Sequence, residues 1–229
     1  MDIAILGTGM VGRMIGVKLQ ELGHTVTLGT RNVTNTLANE NSDAYGNPPF
    51  KDWHKDHKGL GLATFKEAAE DADLLFNCTG GMVSLSALEQ IGEDLLEGKV
   101  LIDVANPLDF SNGMPPSLNP VNTDSLGEQL QKRFAGLKVV KTLNTMNAQI
   151  MVNPGLIEGT HHVFVCGNDV AAKDEAKSLL KSFGWQPDQI LDLGDISNAR
   201  GTEMLLPIWL RLWGALGTAE FNFCIQRNR

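Results

Sequence analysis

Short apolar segments alternate with amphipathic segments over the first two thirds of the chain. The apolar runs cover residues 3–6, 25–28, 74–76, 100–102 and 139–140, and the candidate helices between them cover residues 10–22, 65–71, 84–96 and 125–134. Short, continuous apolar runs are typical of parallel strands that helices cover on both faces. The alternation therefore predicts an α/β fold with a doubly wound sheet of the Rossmann type.

The pattern changes after Thr142. Residues 162–166 have the composition of a strand, Asn168 or Asp169 can cap a helix that reaches Phe183, residues 190–193 suit a second short strand, and a long helix is expected from Ser197 onward. We therefore expect two domains. The first is a Rossmann domain at residues 1–145, and the second is a smaller α/β domain at residues 146–229 that ends in the long helix.

Two connections are long for a compact domain. Residues 32–61 are polar, rich in asparagine and contain Pro48-Pro49, which predicts a partly helical excursion on the surface. Residues 107–120 are rich in proline and follow a strand end, where long loops are more often functional than neutral. We expect the first to fold over a bound ligand and the second to lie beside the active site.

The first strand runs directly into a glycine-rich loop, Gly7-Thr8-Gly9-Met10-Val11-Gly12, which opens the first helix. This order of strand, loop and helix directs backbone N–H groups and the positive end of the helix dipole at a pyrophosphate. Gly7 allows the tight turn, Gly9 lets phosphate approach the backbone, and Gly12 lets the helix lie close to the strand. The loop predicts a dinucleotide site.

The end of the second strand indicates which dinucleotide. Enzymes that use NAD place an Asp or Glu there to bind the ribose 2′-hydroxyl, whereas this chain reads Leu28-Gly29-Thr30-Arg31-Asn32. A hydroxyl and a guanidinium suit a 2′-phosphate, and a carboxylate would repel it. We predict NADP, with Thr30, Arg31 and Asn32 at the phosphate. The alternative is that Arg31 is a solvated loop charge.

Composition narrows the classes of function. With 229 residues, 42% of them hydrophobic, the chain can bury a full core. A net charge of −8 provides no basic face for nucleic acid, so no such partner is expected. Three scattered cysteines, Cys78, Cys166 and Cys224, indicate neither a disulfide framework nor a zinc site. They suit a reducing, cytoplasmic compartment.

Other candidate features have structural interpretations. Residues 204–216 are apolar, but Pro207 interrupts them and they fall short of the roughly 20 residues that span a bilayer, so we predict a buried helix and no membrane partner. No basic region precedes an apolar run at the start, and no signal peptide is expected. His54, Asp56 and His57 are expected to be hydrated surface residues, and no metal site is predicted.

Taken together, these segments resemble the family of coenzyme F420-dependent NADP oxidoreductases, the NADPH:deazaflavin reductases and their relatives. The resemblance covers nearly the whole chain. In the first half it rests on residues 3–12, on Gly23-His24 and on Leu28-Gly29-Thr30-Arg31. In the second half it rests on residues 165–169, 191–194 and 197–200, followed by Glu203, Leu206 and Pro207.

The resemblance implies a direct hydride transfer between C4 of the nicotinamide and C5 of a deazaflavin ring. In such a step the cofactors carry the chemistry and the protein orients them, so no catalytic acid or base is expected. Beyond the glycine loop, the expected NADP ligands are Thr30, Arg31, Asn32, Cys78, Thr79, Gly80, Ala105, Asn106 and Pro107. The expected acceptor ligands are Asn144, Thr145, Met146, Leu206 and Pro207.

Two segments depart from the family pattern. Residues 77–81 read Asn-Cys-Thr-Gly-Gly in place of a Thr-Ile-Pro-Trp type segment, and residues 144–147 read Asn-Thr-Met-Asn where archaeal members have a His-Thr-Ile-Pro run. The acceptor, a small molecule, is therefore left open between a deazaflavin and a flavin-like compound. The alternatives are an NADP(H)-binding redox sensor without turnover and a reductase of a small imine or ketone.

The terminal helix carries more apolar residues than one buried face needs. We expect most of them to be buried in the core and in a homodimer interface, where Gly214 and Gly217 permit close packing.

Overall fold

The computed structural model describes residues 1–42, 46 and 48–228, so part of the polar excursion lies outside the described residues. The described strands are β1 (Asp2–Leu6), β2 (Thr25–Thr30), β3 (Gly61–Thr64), β4 (Leu74–Asn77), β5 (Val100–Asp103), β6 (Leu108–Asp109), β7 (Ser117–Leu118), β8 (Lys138–Thr142), β9 (Val163–Gly167) and β10 (Ile190–Asp192). The described helices are α1 (Met10–Glu21), α2 (Val33–Ala38), α3 (Phe50–Asp56), α4 (Phe65–Glu70), α5 (Gly81–Glu89), α6 (Glu93–Leu96), α7 (Leu126–Arg133), α8 (Ala148–Val152), α9 (Val170–Phe183), α10 (Ala199–Met204) and α11 (Leu206–Leu216).

Eight strands form one sheet in the order β10-β9-β8-β5-β4-β1-β2-β3. The six strands from β8 to β3 are parallel, and the chain reverses its direction of winding between β1 and β4. This is the doubly wound arrangement, which confirms the predicted fold class. In such sheets the crevice outside the carboxyl ends of the two strands at the reversal is the usual place for a ligand.

The strands of the second half extend the same sheet. β9 lies antiparallel to β8, with Val140 opposite Gly167, and β10 lies parallel to β9. The two predicted domains therefore share a sheet, and the boundary between residues 145 and 146 stays a prediction.

Helices cover both faces of the sheet, because successive residues of a strand point to opposite sides. Ile3 and Ile5 pack with α1, α8 and α9 on one face. Ala4 and Leu6 pack with α4, α5 and α7 on the other. Burial on both faces explains why the parallel strands read as continuous apolar runs.

Local signals fixed several helix ends as predicted. The Asp169 carboxylate caps α9 by accepting from the Ala172 N–H at 2.8 Å. Gly184 ends the same helix with φ of 110°, a left-handed conformation that glycine adopts without steric cost.

The structure corrects two predicted helices. Residues 84–96 form two helices, α5 and α6, because the chain turns at Gly92, where φ is 95°. The helix expected from Ser197 is divided into a short 3-10 turn at residues 196–198, α10 and α11. Pro207 explains the second division, since proline has no N–H for the Glu203 carbonyl and its ring crowds that carbonyl.

The prediction that residues 204–216 are buried is wrong for the single chain. In α11 only Leu206 is buried, whereas Ile208, Trp213 and Leu216 are 46%, 36% and 56% exposed. No helix of the described residues is both long and apolar enough to cross a membrane.

Two histidines hold the segment that follows α11. The His161 ring donates from Nε2 to the Pro154 carbonyl and accepts at Nδ1 from the Asn222 amide. The His162 ring accepts at Nδ1 from the Ile225 N–H at 3.1 Å. Both rings must be neutral to accept these bonds.

Acid should weaken this attachment. Burial, followed by the nearby His161 and Arg227, lowers the pKa of His162, and Asp188 opposes them only in part. The neutral His162 ring stabilises the folded chain fully above the ordinary histidine pKa of about 6.5. This stabilisation declines as the pH falls from there towards the lowered pKa of the folded state. We expect the unfolding free energy, measured in urea between pH 7.5 and 5.5, to depend less on pH in His162→Asn. Equal pH dependence in both proteins would contradict this.

Candidate functional site

The carboxyl ends of β1, β2 and β4 border a cleft of about 820 Å³ at the point where the sheet reverses its winding. Its lining includes nine of the predicted cofactor ligands: Gly7, Thr8, Gly9, Thr30, Arg31, Asn32, Cys78, Thr79 and Gly80. These residues come from three separate parts of the sequence. The parallel sheet brings them together because its strand ends meet at one edge.

The three glycines of the loop have different surroundings. A Cβ on Gly7 would overlap the Cys78 carbonyl oxygen, at 2.6 Å. A Cβ on Gly12 would overlap the Gly7 carbonyl oxygen. A Cβ on Gly9 would meet no atom within 4 Å. Gly7 and Gly12 therefore allow tight backbone packing, whereas Gly9 leaves open space at the amino end of α1. This arrangement fits a pyrophosphate on the helix N-terminus.

The far end of the cleft carries the residues predicted to bind the 2′-phosphate. Arg31 is exposed and makes no hydrogen bond or ion pair within the described chain. The Thr36 hydroxyl donates to the Asn32 carbonyl. The Thr30 hydroxyl oxygen lies 2.7 Å from the Thr36 hydroxyl oxygen. Because the Thr36 proton is already used, Thr30 donates to Thr36. The Asn32 side-chain oxygen accepts from the Asn35 N–H and caps α2, so the Arg31 guanidinium and the Asn32 amide N–H groups are the available donors, and Thr30 anchors the start of α2.

The charge of the cleft suits an anion. Arg13 and Arg31 are the only charged side chains among its described lining residues. The same lining contains no carboxylate, lysine or histidine. A cleft whose described lining is charged only by arginines attracts phosphates, and that lining has none of the carboxylates, lysines or histidines that most often transfer protons.

Sequence reasoning missed Arg13, which follows the last loop glycine. Its guanidinium donates from Nε to the Thr8 carbonyl at 2.9 Å and from Nη1 to the Pro48 carbonyl at 3.1 Å. It also lies 5.3 Å from the ring centres of Phe50 and Trp53. Arg13 therefore ties the polar excursion to the glycine loop. Described residues of the excursion, Asn35, Thr36, Asn39, Asn41, Ser42 and Phe50, line the cleft.

A buried hydrogen-bond network lies behind the end of the cleft that Cys78 and Thr79 line. The Thr79 hydroxyl donates to the Asn77 side-chain oxygen at 2.7 Å, and the Asn77 amide donates to Asp103 at 2.8 Å. Burial, with a smaller contribution from Asp103, raises the pKa of the Cys78 thiol well above its ordinary range. Cys78 is therefore a packing residue rather than a thiolate nucleophile.

The predicted residues Ala105, Asn106 and Pro107 lie outside the described lining of the cleft, directly beyond β5. Asn106 donates to the Asn144 carbonyl at 2.7 Å, and the Asn144 amide donates back to the Asn106 side chain at 3.0 Å. We refer to these two side chains as the amide pair. It joins the loop after β5 to the loop after β8.

The loop after β8 has two unusual features. Leu143 is buried and has φ of 63°, a left-handed conformation that costs a bulky residue roughly 1–3 kcal/mol and is concentrated at functional sites. The Thr145 hydroxyl is buried without a hydrogen-bond partner in the described chain. Buried polar groups without a partner are uncommon in folded proteins.

The other predicted residues have varied positions. Val11 and Gly12 pack towards the core, and Met10 lines a second groove beside α1 and α8. Met146 and Leu206 are buried, whereas Pro207 is exposed. The His54 and His57 rings, set aside as metal ligands, bond to the backbone carbonyls of Leu60 and Trp53.

A group of three charged residues, which sequence reasoning also missed, lies beneath the amide pair. The Lys141 ammonium is fully buried and donates to Asp103 at 2.8 Å, to Glu203 at 2.9 Å and to the Ala105 carbonyl. We call Asp103, Lys141 and Glu203 the buried ion group. Burial by itself would lower the pKa of Lys141, but the two carboxylates outweigh it and raise that pKa.

Comparison with known proteins identifies the family. Residues 2–107 match the model of the family described as NADP oxidoreductase, coenzyme F420-dependent. A crystal structure from Arthrobacter sp. FB24, of a protein assigned as an F420-dependent NADP reductase, is 57% identical over 99% of this chain and 100% of that chain, with a TM-score of 0.93. The chain belongs to this family. This family is one of NADP-dependent oxidoreductases, and the chain has a Rossmann-like fold, as the sequence predicts.

More distant relatives extend the comparison. The metalloreductase STEAP3 of Rattus norvegicus is 27% identical over 90% of this chain, and the metalloreductase STEAP2 of Homo sapiens is 24% identical over 96%. The chain spans 37% and 40% of their lengths. An imine reductase from Myxococcus stipitatus in complex with NADP⁺ shares the fold, with 16% identity, 94% of this chain and 64% of that chain covered, and a TM-score of 0.63.

A substitution at Gly9 tests whether the glycine loop binds the pyrophosphate. Because its Cβ would meet open space, we expect Gly9→Ala to fold with nearly unchanged stability but to displace phosphate from the loop. The loss of one or two charge-assisted hydrogen bonds predicts NADPH binding about tenfold to hundredfold weaker by fluorescence titration.

Gly201→Ala is the matched control. Gly201 lies in α10, where an added Cβ also meets open space, and it is absent from the cleft lining. NADPH affinity should not change in this variant. Equal affinities in the Gly9 and Gly201 variants would contradict the placement of phosphate on the glycine loop.

Proposed function

We propose that the chain transfers a hydride between NADP(H) and a deazaflavin, coenzyme F420, or a flavin-like acceptor. The observation that carries the proposal is the charge of the cleft, whose described lining has two arginines and no carboxylate, lysine or histidine. The likeness to a protein assigned as an F420-dependent NADP reductase supports the deazaflavin as acceptor.

Binding and orientation are the tasks of the chain's own residues. The backbone at Gly7 to Gly9 and the amino end of α1 would hold the pyrophosphate, and Arg31 would hold the 2′-phosphate. Thr79 and Gly80 would border the nicotinamide, which supplies the hydride when bound. The loop of Asn144, Thr145 and Met146 would border the acceptor; these side chains are buried, and the Thr145 hydroxyl has no hydrogen-bond partner in the described chain.

The two alternatives differ in observable ways. Reduction of an imine or ketone also needs a proton for the substrate nitrogen or oxygen, and no carboxylate, lysine or histidine lines the described part of the cleft. A redox sensor would bind NADPH without turnover. The altered residues 77–81 and 144–147 are the reason for considering a sensor.

The exposed apolar residues of α11 support a further part of the proposal, a homodimer in which a second copy covers this helix. Analytical ultracentrifugation of the wild type and of Trp213→Lys would test it.

The free cysteines suit a cytoplasmic location.

Turnover tests the proposed reaction directly. Purified protein is mixed with NADPH carrying deuterium at C4 and with coenzyme F420, FMN or a panel of small imines and ketones. We expect nicotinamide absorbance to fall with the deazaflavin or flavin. The label should be retained at C5 of the reduced deazaflavin, whereas deuterium that reaches N5 of a flavin exchanges with water. Tight NADPH binding with no turnover of any acceptor would support the sensor, and turnover of imines alone would support the imine reductase.

Arg31→Glu tests the choice of dinucleotide. Replacing an available guanidinium by a carboxylate removes a charge-assisted bond to the 2′-phosphate and adds repulsion. We expect NADPH affinity to fall by about tenfold to hundredfold and NADH affinity to change little. Equal weakening of both would show that Arg31 does not bind the 2′-phosphate.

A further inference from the structure

The buried ion group connects three parts of the chain that the sequence separates widely. Asp103 ends β5, Lys141 lies in β8, and Glu203 lies in α10. The Glu203 carboxylate also accepts from the Leu126 and Gly127 N–H groups at 2.9 and 3.1 Å, at the amino end of α7. The group therefore links the sheet, α7 and the terminal helices at one point.

The same group holds the backbone of Ala105 from both sides. The Asp103 carboxylate accepts from the Ala105 N–H at 3.2 Å, and the Lys141 ammonium donates to the Ala105 carbonyl. With both backbone polar groups fixed, the next residue, Asn106, leaves β5 in a defined direction. Its side chain then forms the amide pair with Asn144.

Steric contact fixes the loop from the opposite side. A Cβ on Gly81 would lie 2.3 Å from the Asn106 carbonyl oxygen, so the start of α5 packs directly against this peptide. The loop after β5 is thus held between α5 and the buried ion group. Because closely packed interiors transmit displacement, we expect changes in the ion group to shift the amide pair.

Stability alone gives a poor account of these charges. Removing an ammonium and two carboxylates from water costs several kcal/mol per ion, and a buried ion pair is often no more stable than apolar residues of the same volume. A buried charge with every hydrogen bond made does define geometry closely. All three Lys141 protons have acceptors, which is the condition for such a role.

We propose that the buried ion group positions the amide pair beside the end of the cleft that Thr79 and Gly80 line, where the nicotinamide would lie, with Lys141 as the positioning residue. This inference rests on the proposed function, since binding of NADP(H) defines that end. Lys141 touches neither cofactor nor acceptor in this arrangement and acts through Ala105 and Asn106. Through Glu203 it also sets the position of α10 relative to the cofactor loop.

The test compares binding of NADPH with binding of 2′-phospho-ADP-ribose, which lacks the nicotinamide. The ratio of the two affinities reports on the nicotinamide end without any acceptor. In Lys141→Met we expect this ratio to fall by about fivefold to tenfold, the value of one well-placed hydrogen bond, while 2′-phospho-ADP-ribose binds as to the wild type. Glu203→Gln, which keeps Lys141 and Asp103, gives the same test if Lys141→Met does not fold.

Thr142→Val is the matched control. Thr142 is the next residue of β8, and its buried hydroxyl donates to the Phe164 carbonyl at 2.7 Å, on the opposite face of the strand. This variant also loses a buried hydrogen bond of β8 but leaves the ion group intact. Its affinity ratio should equal that of the wild type.

A double-mutant cycle with Asn106→Ala tests the route of the effect. If Lys141 acts through Asn106, the two changes to the affinity ratio are non-additive, whereas Thr142→Val and Asn106→Ala are additive. An unchanged ratio in both ion-group variants, or full additivity, would overturn the proposal. If only the proposed reaction fails, the wild type shows no turnover with any acceptor, while Lys141→Met still lowers the ratio of the two affinities.

Discussion

A fully buried ammonium group constrains the centre of this fold. Lys141 has no exposed surface, so its protons must find acceptors inside the chain. Those acceptors come from the end of β5, from the loop that follows it and from α10. The end of β5, the loop that follows it and α10 therefore share one polar centre with β8, and displacing any of the three leaves a proton of the buried ammonium without its acceptor.

The cofactor side of the molecule depends on a second constraint, which is steric. The glycine loop approaches the backbone after β4 so closely that a Cβ on Gly7 would overlap the Cys78 carbonyl. This contact closes the space between β1 and β4 behind the loop and leaves it open in front of Gly9. Arg13 and Arg31 then give the open side a positive charge. Packing and electrostatics thus favour the same ligand, a phosphorylated dinucleotide.

The two constraints lie next to each other in the sheet. Asn77 connects them, since its side chain accepts from Thr79 at the cleft and donates to Asp103 in the buried ion group. The cofactor cleft and the loop after β8 are therefore parts of one hydrogen-bonded framework. An imine reductase shares the fold at 16% identity, and a shared fold does not by itself determine the reaction.

The sequence by itself determined the doubly wound sheet, the glycine loop and the preference for NADP, because these depend on local periodicity and on residues close together in the chain. It did not reveal Arg13, whose role depends on residues 48–53, or β3, a half-buried edge strand without a continuous apolar run. It also did not reveal that α11 is exposed, since an apolar segment reads the same whether it packs inside or against a partner. Only the tertiary structure brought Asp103, Lys141 and Glu203 together, because long-range pairing of charges leaves no periodic signal and follows solely from how the strands and terminal helices pack.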